Sequence, residues 1–158
     1  MPSSFHRLIW LLPIAFLFHI SEEFLTGYPA WAGEVTGRPM PLIVFLGSNI
    51  AFIVIMALLV WWAATARTPA AVFWTLVWAM GNLFWNFVYH FVCVLAYDRS
   101  SPGIVTATLI YYPLSLAVCR AALAEKQIRH APLASAILLG GIFMGAVTAF
   151  GIYHIGGM

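Results

Sequence analysis

The chain reads as an all-α protein, a polytopic transmembrane bundle of five helices forming a single domain over residues 1–158. Three observations predict this. Of 158 residues, 63% are hydrophobic and 8% charged, whereas a soluble domain carries about 45–50% apolar residues. The apolar residues fall into five stretches, each close to the ~20 residues that a spanning helix needs. Proline and glycine gather between the stretches, and because unpaired backbone is excluded from lipid, helices are the economical way across.

The first span, about 7–26, opens at Arg7 and runs apolar from Leu8 to Ile20. Ala30-Trp31-Ala32 behind it gives the outline of a signal peptide. The segment from Ile20 to Ala32 is too long and too acidic for an ordinary cleavage region, so a retained span is expected. Gly27, Pro29, Gly33, Gly37, Pro39 and Pro41 mark the next connection as a loop. The second span, about 41–64, ends before Arg67-Thr68-Pro69, and the third, about 71–97, before the stretch from Asp98 to Pro102. The fourth, about 103–124, contains Pro113, which is expected to kink it and free a carbonyl. The fifth, about 132–155, carries Gly141, Gly145 and Ala149 with Gly140 beside them. That small-residue stripe predicts close helix packing, within the chain or in a homo-oligomer.

Basic residues set the orientation. Arg7, Arg67, Arg120, Lys126 and Arg129 lie on the N-terminal side, against Arg38 and Arg99 on the other. By the positive-inside rule the N-terminus is cytoplasmic and the C-terminus, His154 to Met158, outside a cell (inner) membrane. The aromatic residues Trp10, Trp61, Trp62 and Trp74 then form an inner belt, and Tyr28, Trp31 and Tyr97 an outer one. The basic residues never cluster, so no nucleic-acid partner is expected; the partners are the lipid bilayer and a lipid-like small molecule. Cys93 and Cys119 fall within spans as small buried hydrophobes. His6 and His130 are expected in solvent.

The run His19-Ile20-Ser21-Glu22-Glu23 lies inside the first span. An acid at mid-membrane costs roughly 2.5–3.5 kcal/mol on insertion scales, and ionisable groups there default to a functional reading. At about 100° per residue, His19, Glu22 and Glu23 can face one site. Asn86 and His90, four apart, share a face of the third span at similar depth. Asn49, Tyr111 and Tyr112 belong to the same layer and are read as substrate-binding.

These residues resemble a family of integral membrane proteins named for an H-x-x-E-E motif, which stands here as HISEE. The family has a further histidine, similar to His90 in Asn-Phe-Val-Tyr-His, and a Y-x-P-G motif. That motif looks like Ser100-Ser101-Pro102-Gly103, followed by Ile-Val-Thr-Ala; Ser100 replaces the tyrosine, with Tyr97 nearby. The resemblance covers residues 8–125 or so and implies a site without implying a reaction, because the family is uncharacterised.

Three mechanisms compete for the site. The first is an intramembrane enzyme holding one divalent metal, zinc or iron, on His19, His90 and one of Glu22 and Glu23. The other glutamate would act as general base, and Asn86 would orient His90 or bind an oxyanion. Its substrate would be a lipid or amphipathic molecule entering sideways, cut or transferred at an ester, amide or phosphoester. The second is a metal-free acid–base isomerase of a lipid, using the two carboxyls. The third is a small transporter or binding protein for a proton, cation or amine. A di-iron centre needs about four carboxylates, and with Glu34 and Glu125 in loops this chain has too few.

Overall fold

The computed structural model describes residues 4–37 and 40–150. Six helices follow one another: α1 Ser4–Leu25, α2 Tyr28–Thr36, α3 Leu42–Ala66, α4 Pro69–Tyr97, α5 Ile104–Ala124 and α6 His130–Phe150. All but α2 are long and apolar enough to cross a membrane, and no strand occurs among the described residues. Each of the five expected spans is present, its start within a turn of the expected one. Arg38, His154 and the end of the fifth expected span lie outside the described residues.

Proline and side-chain competition bend three of the spans. Pro13 has no N–H for the Ile9 carbonyl, which Leu12 N–H takes instead at 3.1 Å, and α1 breaks there. Pro113 likewise leaves the Leu109 carbonyl without its α-helical donor, and α5 widens into a π turn over Ala107–Tyr111. The expected kink is this turn. In α4 a second π turn, Met80–Trp85, begins where the side chain of Asn82 donates to the Trp78 carbonyl at 2.9 Å. An α turn would give that acceptor to Asn82's own backbone N–H.

Helix α4 is central and packs against α3, α5 and α6, while α1 leans on α3 and α5. The glycines of α6 explain the closest of these approaches. A Cβ on Gly140 would meet Gly81 N at 2.7 Å and Val77 O at 2.9 Å, and one on Gly141 would meet the Trp85 ring at 2.8 Å. Trp85 also donates to the Ile137 carbonyl at 2.8 Å. Gly141, expected on a stripe that could join two copies, is therefore used within the chain. Gly145 and Ala149 remain exposed.

Three local expectations change. The first connection is not all loop: Pro29 in the first turn and the left-handed Gly27 (φ 81°) start α2. That helix turns Tyr28 and Trp31 inward, so they are buried core residues and not part of an outer belt. Trp10, Trp61, Trp62, Trp74 and Tyr97 are exposed on the bundle surface as expected. His6 is buried where α1 meets α5, next to the Phe5 N–H that donates to Glu125 Oε1 at 3.1 Å. Cys93 and Cys119 are free thiols.

Candidate metal centre

One helical turn separates His19 from Glu23 on α1, and α4 brings His90 against both. His19 Nε2 lies 3.5 Å and His90 Nε2 3.3 Å from Glu23 Oε1. The three side chains are buried, and their ligand atoms all fall within 4.8 Å of one another. Both rings are anchored on the far side: His19 Nδ1 to Thr106 Oγ1 at 2.8 Å, and His90 Nδ1 to Ser101 Oγ at 2.9 Å. The Thr106 hydroxyl donates to the Gly103 carbonyl at 3.3 Å, so it accepts from His19 Nδ1–H. The lone pair of neutral His19 is thereby left on Nε2, facing the carboxylate oxygen.

Gly103 makes this convergence sterically possible. It adopts φ +96°, and a Cβ there would lie 2.8 Å from the Cε1 atoms of both His19 and His90 and 3.0 Å from Glu23 Cγ. The loop thus forms a roof of bare backbone over the three side chains. Tyr111 packs beside them, its ring 4.3 Å from that of His19, with a buried hydroxyl that has no hydrogen-bond partner among the described residues. Tyr28 and Tyr89 pack beside His90 and join through a 2.8 Å contact between their hydroxyls. Arg99 pairs with Glu34 at 3.1 Å, joining α2 to the loop that carries the roof.

Glu22 does something different from its neighbour. Its Oε1 accepts from Val105 N–H at 3.1 Å and its Oε2 from Thr106 N–H at 2.7 Å. Those amides belong to the first turn of α5 and have no intrahelical acceptor, and a carboxylate at a helix N-terminus is favoured by the helix dipole. Glu22 is therefore not brought to the histidines, either as a ligand or as a free base. It holds in place the residue, Thr106, that anchors His19.

A family model described as a protein of unknown function with HXXEE motif matches residues 10–118. The chain belongs to this HXXEE-motif family. No curated protein and no solved structure gives a significant match to it. The matched stretch includes every residue of the centre, from His19 to Tyr111. The two glutamates of the HXXEE motif have separate tasks in this member: the last lies between the imidazoles, and the one before it caps α5.

Of the remaining expected site residues, Asn86 and Asn49 line one small cavity that reaches His19 and Glu23. The Asn86 Oδ1 is buried without a hydrogen-bond partner among the described residues. Tyr112 is not at the site. It is 40% exposed and packs on Phe87, ring centroids 4.7 Å apart, because the turn ending at Tyr111 sends the next side chain outward. The sequence reading missed the roles of Ser101, Gly103, Thr106 and Asn82. Asn82 had a signal, the four-residue ladder Asn82, Asn86, His90. For Ser101 and Thr106 nothing marks which of many hydroxyls meets an imidazole.

Proposed function

We propose that the protein is a membrane-embedded, metal-dependent enzyme that acts on a lipid or amphipathic substrate by hydrolysis or group transfer. The observation that carries this reading is the convergence of His19 Nε2, His90 Nε2 and Glu23 Oε1 in a buried pocket whose imidazoles are tied from behind. The fit to one ion can be tested on distances. Ligands about 2.0–2.1 Å from a tetrahedral zinc lie about 3.3–3.4 Å apart, and the two separations from Glu23 Oε1 are 3.3 and 3.5 Å. The Nε2 lone pair of neutral His19 and the Glu23 carboxylate oxygen, facing each other at 3.5 Å, repel unless a cation lies between them. Metal-ligating histidines ordinarily hold their other ring nitrogen on an oxygen partner, and here the Thr106 and Ser101 hydroxyls occupy that place.

A metal bound there would supply Lewis acidity at its open positions. The chain's own residues would do the rest: Thr106 and Ser101 fix the rings, Glu22 fixes Thr106, and the Gly103 backbone closes the roof. A second reading keeps the same three side chains with a proton in place of the ion, as an acid–base isomerase; the 3.3 Å His90–Glu23 separation also suits a hydrogen bond. The orientation proposed from the basic residues, N-terminus cytoplasmic in a cell membrane, puts the centre in the outer half.

Metal analysis after chelator-free purification separates the readings. About one equivalent of zinc or iron is expected in the wild type and in Glu22→Gln, and none in Glu23→Gln or His90→Ala. A wild type without stoichiometric metal would sink the metal reading in favour of the acid–base one.

A further inference from the structure

At the end of the bundle away from the His–Glu centre, the first turns of α4 meet the connection between α5 and α6. They form an open groove of about 550 Å3, within the range of about 300–1,000 Å3 usual for ligand sites. Its lining is of two kinds. Phe73, the half-exposed Trp74 and the buried Ile128 are apolar; Lys126, Gln127 and Arg129 are polar, and both cations are exposed.

The turn that carries Lys126 does not require a lysine. Helix α5 ends in a Schellman pair of bonds: Lys126 N–H donates to the Leu123 carbonyl at 3.0 Å and Gln127 N–H to the Ala122 carbonyl at 2.9 Å. Lys126 takes the left-handed position of that pair, with φ 56°, where glycine is the usual residue and a side chain is strained. The charge therefore stands at this place against the preference of the backbone.

No acid balances it. Of the chain's five acids, Glu22, Glu23, Glu34 and Asp98 lie toward the opposite end of the bundle, and none of the five lines the groove. Glu125, next to Lys126 in sequence, accepts from Phe5 N–H at 3.1 Å where α1 meets α5. Neither Lys126 nor Arg129 makes an ion pair among the described residues.

The two kinds of lining are also ordered by depth. Trp74 lies roughly 7 Å along α4 from its start at Pro69, on the hydrocarbon side, whereas the two cations sit on a connection between spans, at the level of lipid head groups. A soluble anion would use the cations and leave the rings bare. A fatty chain alone would leave the cations unpaired. A lipid with a charged phosphate head uses both, and basic pockets at the ends of spanning helices take such heads.

We infer that this groove binds an anionic phospholipid, with its phosphate at Lys126 and Arg129 and an acyl chain over Phe73 and Trp74. In the orientation proposed above the lipid comes from the cytoplasmic leaflet, and the inference is independent of the metal-enzyme reading.

The test uses the full chain in dodecyl maltoside, with thermal stabilisation measured against rising amounts of three probes. These are dioleoyl phosphatidylglycerol, dioleoyl phosphatidylcholine, which has the same chains and no net charge, and glycerol 3-phosphate, a phosphate without chains. At about 1 kcal/mol for each cation near an anionic lipid, phosphatidylglycerol should bind about 30-fold more tightly than phosphatidylcholine. Lys126→Gly, which suits the turn, should cut that preference about fivefold, and adding Arg129→Gln should abolish it. Arg129→Gln alone carries the same fivefold expectation if Lys126→Gly does not fold. Arg67→Gln and Arg120→Gln change basic residues of the same side that do not line the groove, and should leave the preference intact. Trp74→Ala should weaken both lipids alike. Equal affinity for the two lipids overturns the inference, and so does a loss in Arg67→Gln or Arg120→Gln equal to that in Lys126→Gly, the mark of diffuse surface charge. Glycerol 3-phosphate binding as tightly as phosphatidylglycerol overturns the choice of a lipid, and unchanged affinities in Trp74→Ala overturn the placing of its chain.

Discussion

Replacing Gly103 by alanine tests the roof over the centre, and two separate costs can be worked out for it. The first is backbone strain: a side chain at a left-handed φ costs about 1–2 kcal/mol, and Gly103 has φ +96°. The second is crowding, because the new methyl would lie 2.8, 2.8 and 3.0 Å from His19, His90 and Glu23. Forcing carbon into a packed interior costs about 1–3 kcal/mol. Gly27 isolates the first term: its φ is +81° and a Cβ there meets nothing within 4 Å among the described residues. Gly27→Ala should therefore lose about 1–2 kcal/mol, and Gly103→Ala about 2–5 kcal/mol in total. At about 2–4 °C per kcal/mol for a chain of this size, thermal unfolding in detergent resolves the two. Because a catalytic or binding constellation tolerates displacements of only about 0.5 Å, Gly103→Ala should also lose its metal while Gly27→Ala keeps it. If the two variants melt together and both retain metal, the roof does not bear on the histidines in the way described.

Glu22→Gln should lower stability by about 1–3 kcal/mol, since an amide leaves one α5 N–H facing a donor; unchanged unfolding would remove Glu22 from its capping role. Thr106→Val should weaken metal affinity about 10–100-fold by freeing the His19 ring, with Thr106→Ser close to wild type in chelator competition. Gly140→Ala must push a methyl into the backbone of α4 and should destabilise by about 2 kcal/mol or more, whereas Gly145→Ala, whose Cβ meets nothing within 4 Å among the described residues, should be neutral; equal effects would contradict the α4–α6 packing. In a chain with both native cysteines replaced, a cysteine at Ser100 should react with an impermeant maleimide on intact cells, and one at Lys126 only after permeabilisation. The reverse pattern would invert the orientation.

Much of the bundle was legible because hydropathy and proline placement report directly on spans, and the conjunction of His19, Glu23 and His90 was legible because ionisable groups in apolar runs stand out. What stayed hidden depends on atoms that periodicity does not describe. A wheel at 100° per residue puts Glu22 and Glu23 on either side of His19 as near equals; only the position of α5 decides that one meets imidazoles and the other meets amides. The same wheel treats Tyr111 and Tyr112 as alternatives, and the π turn before Pro113 settles which is inside. Tyr28 and Trp31 misled for a related reason: aromatic residues near a span end suit an interface, until a short helix folds them back over the core.

The Gly81–Gly140 contact has a consequence for how such a protein can diversify. By locking α6 to α4 at backbone distance, it fixes where Met144 and Val147 stand along the wall of the small cavity that reaches His19 and Glu23. Those two side chains come from a helix that contributes nothing to the His–Glu centre and lies beyond the stretch matched by the family. Reshaping that wall leaves His19, Glu23 and His90 untouched, so under the proposed function α6 could vary the size of the cavity while the other spans keep the centre.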